Sequence, residues 1–523
     1  MLGALFSTPL LLAIIGSLLI AWDISKKDKK PAVVITGLVF LGLMVLVRLK
    51  IAITQGTFLG LFTGVASNMG IALLVSAGYL AVKKSKAKPF FVLGVLALGL
   101  SLALTIVGKV LGINEESRAQ AFLERIEEAN SRVYEASILV ELGPDDMVSE
   151  LWPILKDYKN IRWSKAFPEL DLAMDADLSQ VVLIEGESEN LEKLMAELRL
   201  DTENVDHVSI NIPVSLDPPA SSPAMEWRRK RPIVANDPLS GTQWTQEAIN
   251  AAAVHEILKE TSPVRKARVA ILDTGVESKH EDIKNVFVKT PGNIDKHGHG
   301  THCAGIAGAA TNNELGMASL NWNGDYIDIL SYQALGSDGM GSLETIAQAI
   351  IDAARNDADV ISMSLGGFSL APPKVIKDAV EFAMDRGAIV VAASGNSNQD
   401  AKNHMPSNVE GVISVSAVDQ NGNKAKFSNT NTSLTRPIAA PGVDVVSLIP
   451  GNDYGPKSGT SMATPVVSGL LGIMRSLHPE LTASQAYTIL HESGVTLDDS
   501  NKVGRMIDAD AAVNAVLELR QAM

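Results

Sequence analysis

The sequence predicts an α/β protein whose C-terminal half is a doubly wound parallel sheet, preceded by a small ferredoxin-like α+β module and a four-helix transmembrane bundle. Three observations predict it. Four long apolar stretches crowd the first 112 residues, and a β-α-β-β-α-β pattern follows over about 132–215. Farther on, the short apolar runs Arg268–Leu272 and Ala388–Ala393 each end abruptly in small and polar residues, as buried parallel strands do. At 523 residues the chain has room for two or three separate cores.

The apolar stretches run over 2–22, 32–49, 57–82 and 89–108, each close to the roughly 20 residues that cross hydrocarbon as a helix. The lysine cluster follows the first stretch instead of preceding it, which marks an anchor and not a removable signal. Lys26, Lys27, Lys29 and Lys30 lie in the first loop, and Lys83, Lys84, Lys86 and Lys88 in the third. Both loops are therefore expected on the cytoplasmic side, with both termini outside. Eleven Lys or Arg against two Asp make this region basic, while the whole chain carries −14. The rest is thus strongly acidic and excludes a nucleic-acid partner, because little in it would displace phosphate counterions. Arg228–Arg231 is a local basic run in a Pro-rich stretch, read as a solvated linker. Cys303 is the single cysteine, so no intrachain disulfide forms.

A polar helical stalk is expected over 113–131. Alternation at Tyr134, Ala136, Ile138, Val140 and Leu142 then reads as a half-buried strand. A helix shortened by Pro153 follows, then a weaker strand near 161–167, a strand at 181–184, a helix over 188–198 capped by Ser188, and a last strand alternating at Val208, Ile210 and Ile212. This is the split βαβ order. A linker is expected at 216–232, with 214–232 extended and accessible because of Pro213, Pro218, Pro219 and Pro223. The remaining domain covers 233–523.

In that domain the first apolar run ends in Asp273-Thr274-Gly275, His299-Gly300-Thr301-His302-Cys303-Ala304-Gly305 follows, and Gly459-Thr460-Ser461-Met462-Ala463-Thr464-Pro465 opens an apolar helix. Acyl transfer needs a hydroxyl nucleophile, an imidazole to take its proton and a buried carboxylate to orient the imidazole. Asp273, His299 and Ser461 supply all three. Ser394-Gly395-Asn396 closes the second run, as a turn after a strand would, and the Ser461 N–H stands free at a helix start. His297 reads as a loop residue and Cys303 as a small buried side chain, and the family resemblance given below implies that His302 is structural. A metal site on His299, His302 and Cys303 lacks a fourth ligand.

The three motifs, in the order Asp, His, Ser, resemble the subtilase family over about 236–516. The resemblance implies a serine endopeptidase forming an acyl-enzyme on Ser461, with His299 as general base and acid, Asp273 as orienting carboxylate and Asn396 as oxyanion donor. It implies an extended polypeptide substrate held between Gly339–Ser342 and Ser364–Gly367, through Gly339, Gly341, Ser364, Leu365 and Gly366. The module at 132–215 would then be an inhibitory, chaperone-like propeptide; a structural or partner-binding module is the alternative. No cofactor is required for the chemistry, and a structural Ca²⁺ on Gln243, Asp282 and the loop Thr311–Leu315 competes with a solvated turn. The expected partners are polypeptide substrates, the lipid bilayer and the chain's own module. The catalytic domain is expected outside the cytoplasm, with self-cleavage between about Val214 and Arg231 releasing it. The rival reading is a non-catalytic membrane sensor or scaffold whose C-terminal domain only binds polypeptides.

Overall fold

Strand β1 (Ala136–Leu142) lies at the centre of the first sheet. A short 3-10 turn at Val148–Leu151 leads into helix α1 (Trp152–Leu155), where Pro153 sits in the first turn and needs no hydrogen bond. Then come β2 (Arg162–Lys165), β3 (Val181–Gly186), α2 (Ser188–Leu198) and β4 (Val205–Ile210). The strands pair antiparallel in the order β2-β3-β1-β4. The computed structural model describes residues 136–143, 146–216, 235–288, 290–291 and 294–522. The four apolar stretches, the stalk and the linker beyond Leu216 lie outside these residues. Among the described residues, no helix is long and apolar enough to cross a membrane.

Several local expectations change. Helix α2 has Glu187 at its N-cap position without a side-chain capping hydrogen bond, and Ser188 is already its first helical residue. Strand β1 is buried on both faces rather than one: Ile138 and Val140 face the module's own core, while Leu139 joins the core of the C-terminal domain. Ile210 and Ile212 are half exposed, because β4 stops at Ile210 and the chain turns away toward the larger domain. There Pro213–Ser215 forms a further strand, β5. The stretch expected to be accessible is therefore closed at its start, with Val214 and Leu216 buried.

The larger domain is built on β6 (Ala267–Asp273), β7 (Ile327–Gln333), β8 (Met340–Ser342), β9 (Val360–Met363), β10 (Ile389–Ala393), β11 (Ile413–Val418), β12 (Pro437–Pro441) and β13 (Arg505–Met506). All but β8 form one parallel sheet of order β13-β12-β11-β10-β9-β6-β7. Its strands are apolar throughout because both faces are covered. Helices α3 (His299–Gly308) and α6 (Thr460–Leu477) pack into the core on one face. Helices α4 (Leu343–Arg355) and α5 (Lys374–Asp385) cover the other, and the small module packs on them through Leu139, Phe167, Leu170 and Leu178. Lys374 of α5 reaches between Glu141 of β1 and Asp378. The direction of crossover reverses beside β6 and β9, so their C-terminal ends form the crevice where α/β sheets gather their chemistry.

Candidate active site

Asp273 ends β6 with its side chain fully buried, and Oδ1 accepts the Thr274 N–H at 2.7 Å. Its two carboxylate oxygens stand 2.8 and 2.9 Å from Nδ1 of His299, the first residue of α3. The helix can start there because of glycine. Gly298 takes φ +84°, and a side chain at Gly300 would meet the Gly275 carbonyl at 2.1 Å. Burial opposes charging the His299 imidazole, but the Asp273 carboxylate against it prevails and lifts its pKa well above the usual 6.5.

Asp295 fixes the approach to this histidine, and nothing in the motif reading singled it out. Its Oδ1 accepts from Thr274 Oγ1 and the amides of His297 and Gly298, and its Oδ2 from the amide and hydroxyl of Thr301. An acid four residues before the histidine was the available signal. His302 is elsewhere engaged: Nε2 lies 3.0 Å from the Gly455 carbonyl, and burial pushes its pKa down to about 3. It is therefore absent from the acid–histidine–thiol cluster of Asp273, His299 and Cys303. The ligand-capable atoms of that trio lie within 4.8 Å of one another, but His299 Nδ1 is bound to Asp273 and Cys303 Sγ donates to the Ser461 carbonyl.

Ser461 is the second residue of α6, so its N–H lacks an intrahelical acceptor. In this structure its hydroxyl donates to the Ser364 carbonyl at 3.1 Å rather than to His299. Asn396, after β10, accepts the amide and hydroxyl of Thr460 on its Oδ1, both at 2.9 Å. Thr460 thereby turns Nδ2 toward the start of α6, where a Cβ on Gly459 would lie 3.4 Å from it. Sequence reasoning missed this role of Thr460, although it adjoins Ser461.

The cleft is filled by the chain itself. Val214 of β5 pairs with Gly341 of β8, Leu216 N–H donates to the Gly339 carbonyl at 3.0 Å, and Ser215 forms an antiparallel bridge to Gly366. Glycine at 339 leaves room for the added segment, since a Cβ there would lie 3.3 Å from Leu216 Cδ1, whereas a Cβ at Gly341 would meet the domain's own Ala334 carbonyl at 2.4 Å. Leu365 is buried and Ser364 Oγ donates to the Ser461 carbonyl at 2.8 Å. Farther on, His404–Met405 pairs with Gly367–Phe368 in a two-stranded ribbon.

The calcium ligands proposed from sequence are rearranged. Gln243 is engaged at both ends with Ala318, through Oε1 and Nε2. Asp282 instead faces the loop together with Asp237, and burial raises both pKa values, that of Asp282 to about 6 with the Asp237 charge adding to it. Both carboxylates are met by donors from that loop: Asp237 accepts the Asn312 and Asn313 amides, and Asp282 accepts Asn313 Nδ2 and the Met317 amide.

A buried carboxylate holding an imidazole, a serine at a helix start and an amide beside it define a serine hydrolase site on a parallel sheet. Residues 265–509 match the Subtilase family. Subtilisin DY of Bacillus licheniformis is 39% identical over 254 residues, 47% of this chain and 90% of that one. Thermitase of Thermoactinomyces vulgaris is 38% identical over 251 residues, 46% of this chain and 85% of that one. The thermophilic serine proteinase of Bacillus sp. (strain AK1) is 42% identical over 215 residues, 40% of this chain and about half, 52%, of that protein's length. The chain belongs to the subtilase family of serine endopeptidases.

The raised His299 pKa has a definite sign. Only neutral imidazole can accept a proton, so kcat/KM should fall as pH drops through a midpoint above 6.5. Stability runs the other way: the His299–Asp273 pair stabilises fully below about pH 6.5 and loses that contribution as pH rises through the raised value. A pH series of peptide hydrolysis checks this, and an acid limb at or below 6.5 would contradict it.

Proposed function

We propose that this protein is a membrane-anchored, subtilisin-like endopeptidase that cuts polypeptides through an acyl-enzyme on Ser461 and is held inactive by its own N-terminal module. The observation carrying this reading is Val214–Leu216, seated in the cleft beside Ser461 with the backbone bonds an extended substrate would make. Ser461 Oγ attacks the substrate carbonyl while His299 takes its proton, and Asp273 steadies the imidazolium. Asn396 and the Ser461 N–H receive the oxyanion. His299 then protonates the leaving amine, and water hydrolyses the ester. The module is the chaperone and inhibitor of the domain it covers, and processing in the linker leaves it with the anchor while freeing the protease.

Ser461→Ala and His299→Ala should each lower peptide hydrolysis by about 10⁶, with the double variant little worse, as is known for subtilisin itself. Asn396→Ala should lower turnover by about 10²–10³, again the magnitude known for subtilisin. Labelling of Ser461 by a fluorophosphonate, absent in Ser461→Ala, separates this reading from a domain that only binds polypeptides.

The anchor rests on the four apolar stretches and the lysine-rich first and third loops. The catalytic domain then lies outside the cytoplasm. A cysteine replacing Lys27, in a Cys303→Ala background, should resist an impermeant thiol reagent added to intact cells; its modification from outside would overturn the topology.

A structural Ca²⁺ would take Asp237, Asp282 and oxygens of the loop Thr311–Leu315 in place of the donors that those carboxylates now accept from. A chelator should lower Tm by about 5 °C or more, with recovery on adding Ca²⁺. In Asp282→Asn that response should vanish, and a wild-type Tm indifferent to chelator would exclude the ion.

A further inference from the structure

The charges of the small module are segregated. Residues 136–216 hold seventeen Asp and Glu against six Lys and Arg, yet four of those six cations lie within 156–165, where Asp157 is the one acid. The two tryptophans of the same residues, Trp152 and Trp163, flank this run. Both are exposed, by 60% and 50%. Large aromatic rings left in water on a small acidic module call for a partner.

The fold turns these residues outward. Leu151 and Leu155 sink into the module's own core with Val182 and Ile184 of β3, so α1 covers the face of the sheet that carries those two. Trp152 stands out from that helix, and Lys156, one turn on, shares its side. Strand β2 is the edge of the sheet, and Trp163 lies opposite Ile184, on the face that α1 covers. The other face is the one that packs on the larger domain through Leu139. Both tryptophans therefore look away from the catalytic domain. Arg162 lies 3.8 Å from Glu185, and Lys165 Nζ donates to the Leu170 carbonyl at 3.2 Å. Lys156 and Lys159 are exposed and have no ion-pair partner among the described residues.

We propose that the surface made by α1 and β2 rests on anionic lipid headgroups, with Trp152 and Trp163 seated at the interface and Lys156 and Lys159 against the lipid charge. This rests on the reading of the four apolar stretches as a membrane anchor. Tryptophan suits that depth, because its ring is apolar and its N–H must stay wet. Each Lys or Arg near an anionic leaflet strengthens attachment by roughly fivefold. The rest of the module is acidic and is repelled by the same lipid, so charge alone selects this edge. A patch of two free cations and two rings binds weakly from solution. The apolar stretches precede the module in the same chain, and a tether of that kind makes weak docking effective by raising the local concentration of lipid. The larger domain, packed on the sheet's other face, is then held on the side away from the lipid.

The test uses the full-length chain in vesicles of phosphatidylcholine, alone or mixed with phosphatidylglycerol, with lipids brominated near the headgroup as quenchers. A fluorescent dye is attached at Ser164→Cys on β2, or at Asn421→Cys in an exposed turn of the larger domain, each in a Cys303→Ala background. In the anionic vesicles the dye at 164 should be quenched and the dye at 421 should not. Raising salt or leaving out phosphatidylglycerol should relieve the quenching. Lys156→Gln/Lys159→Gln should lower the ratio of docked to undocked chain about 25-fold, and Trp152→Ser/Trp163→Ser should relieve quenching as well. Equal quenching at 164 and 421 would overturn the proposal, as would quenching at 164 that ignores lipid charge. Quenching that grows with the ratio of protein to lipid would mean contact with a second copy, and would overturn it too. A chain that alkaline carbonate strips from the vesicles would sink the anchor reading itself, a failure distinguishable from the others.

Discussion

The three residues of β5 tie the small module to the cleft of the larger domain. The substrate cleft presents unpaired backbone groups on Gly339, Gly341 and Gly366, and such groups need a partner when water is excluded. Val214–Leu216 supply it. The same segment then dictates where the module sits, since the residues just before it cap α4: the Leu343 amide donates to the Ile212 carbonyl at 3.2 Å and the Glu344 amide to Asn211 Oδ1 at 3.1 Å. The first N–H groups of that helix, orphaned by geometry, are satisfied by the chain that occupies the cleft.

From this placement follows the double-sided burial of β1. A four-stranded sheet with two helices covers one face, and the second face stays wet unless another layer arrives. Here α4 and α5 are that layer. Leu139, Phe167, Leu170 and Leu178 meet them, each such side chain contributing roughly 1.5–3 kcal/mol when fully withdrawn from water. Lys374 adds a charged tie to Glu141, whose pKa is raised by burial even against the lysine. Severing the linker does not remove these contacts. Any dissociation of the module would therefore be governed by apolar area and by the backbone ladder in the cleft, whatever the state of the linker.

How much of this was legible in the sequence depended on how each residue acts. Asp273, His299, Ser461 and Asn396 each stand at the end of a strand or the start of a helix among small residues, and their identity is their chemistry. The parallel sheet was readable because strands covered on both faces, such as β6 and β10, are continuous apolar runs. Asp295 and Thr460 were not readable, because they act by accepting from or donating to particular neighbours, and such partnerships leave no periodic trace. At Val214–Leu216, the part of the proline-rich stretch among the described residues, the chain is paired in the cleft and not accessible: proline sets φ without saying what lies alongside. The alternation in β4 misled at Ile210 and Ile212 because the strand ended where a tertiary contact, the cleft, claimed the chain.

The lone cysteine is accounted for by the same bookkeeping of backbone groups. Pro465 lies inside α6 and has no N–H, so the Ser461 carbonyl, four residues earlier, loses its helical donor. A buried carbonyl left unpaired costs about 1–3 kcal/mol. Two side chains replace the missing donor: Ser364 Oγ at 2.8 Å and Cys303 Sγ at 3.4 Å. Ser364 comes from the cleft segment after β9, and Cys303 from α3, one turn beyond His299. The vacancy created by one proline thus draws the helix of Ser461, the helix of His299 and the segment of Ser364 onto a single atom. The separation between Ser461 and His299 is set by that shared acceptor as well as by the hydrogen bond of His299 to Asp273.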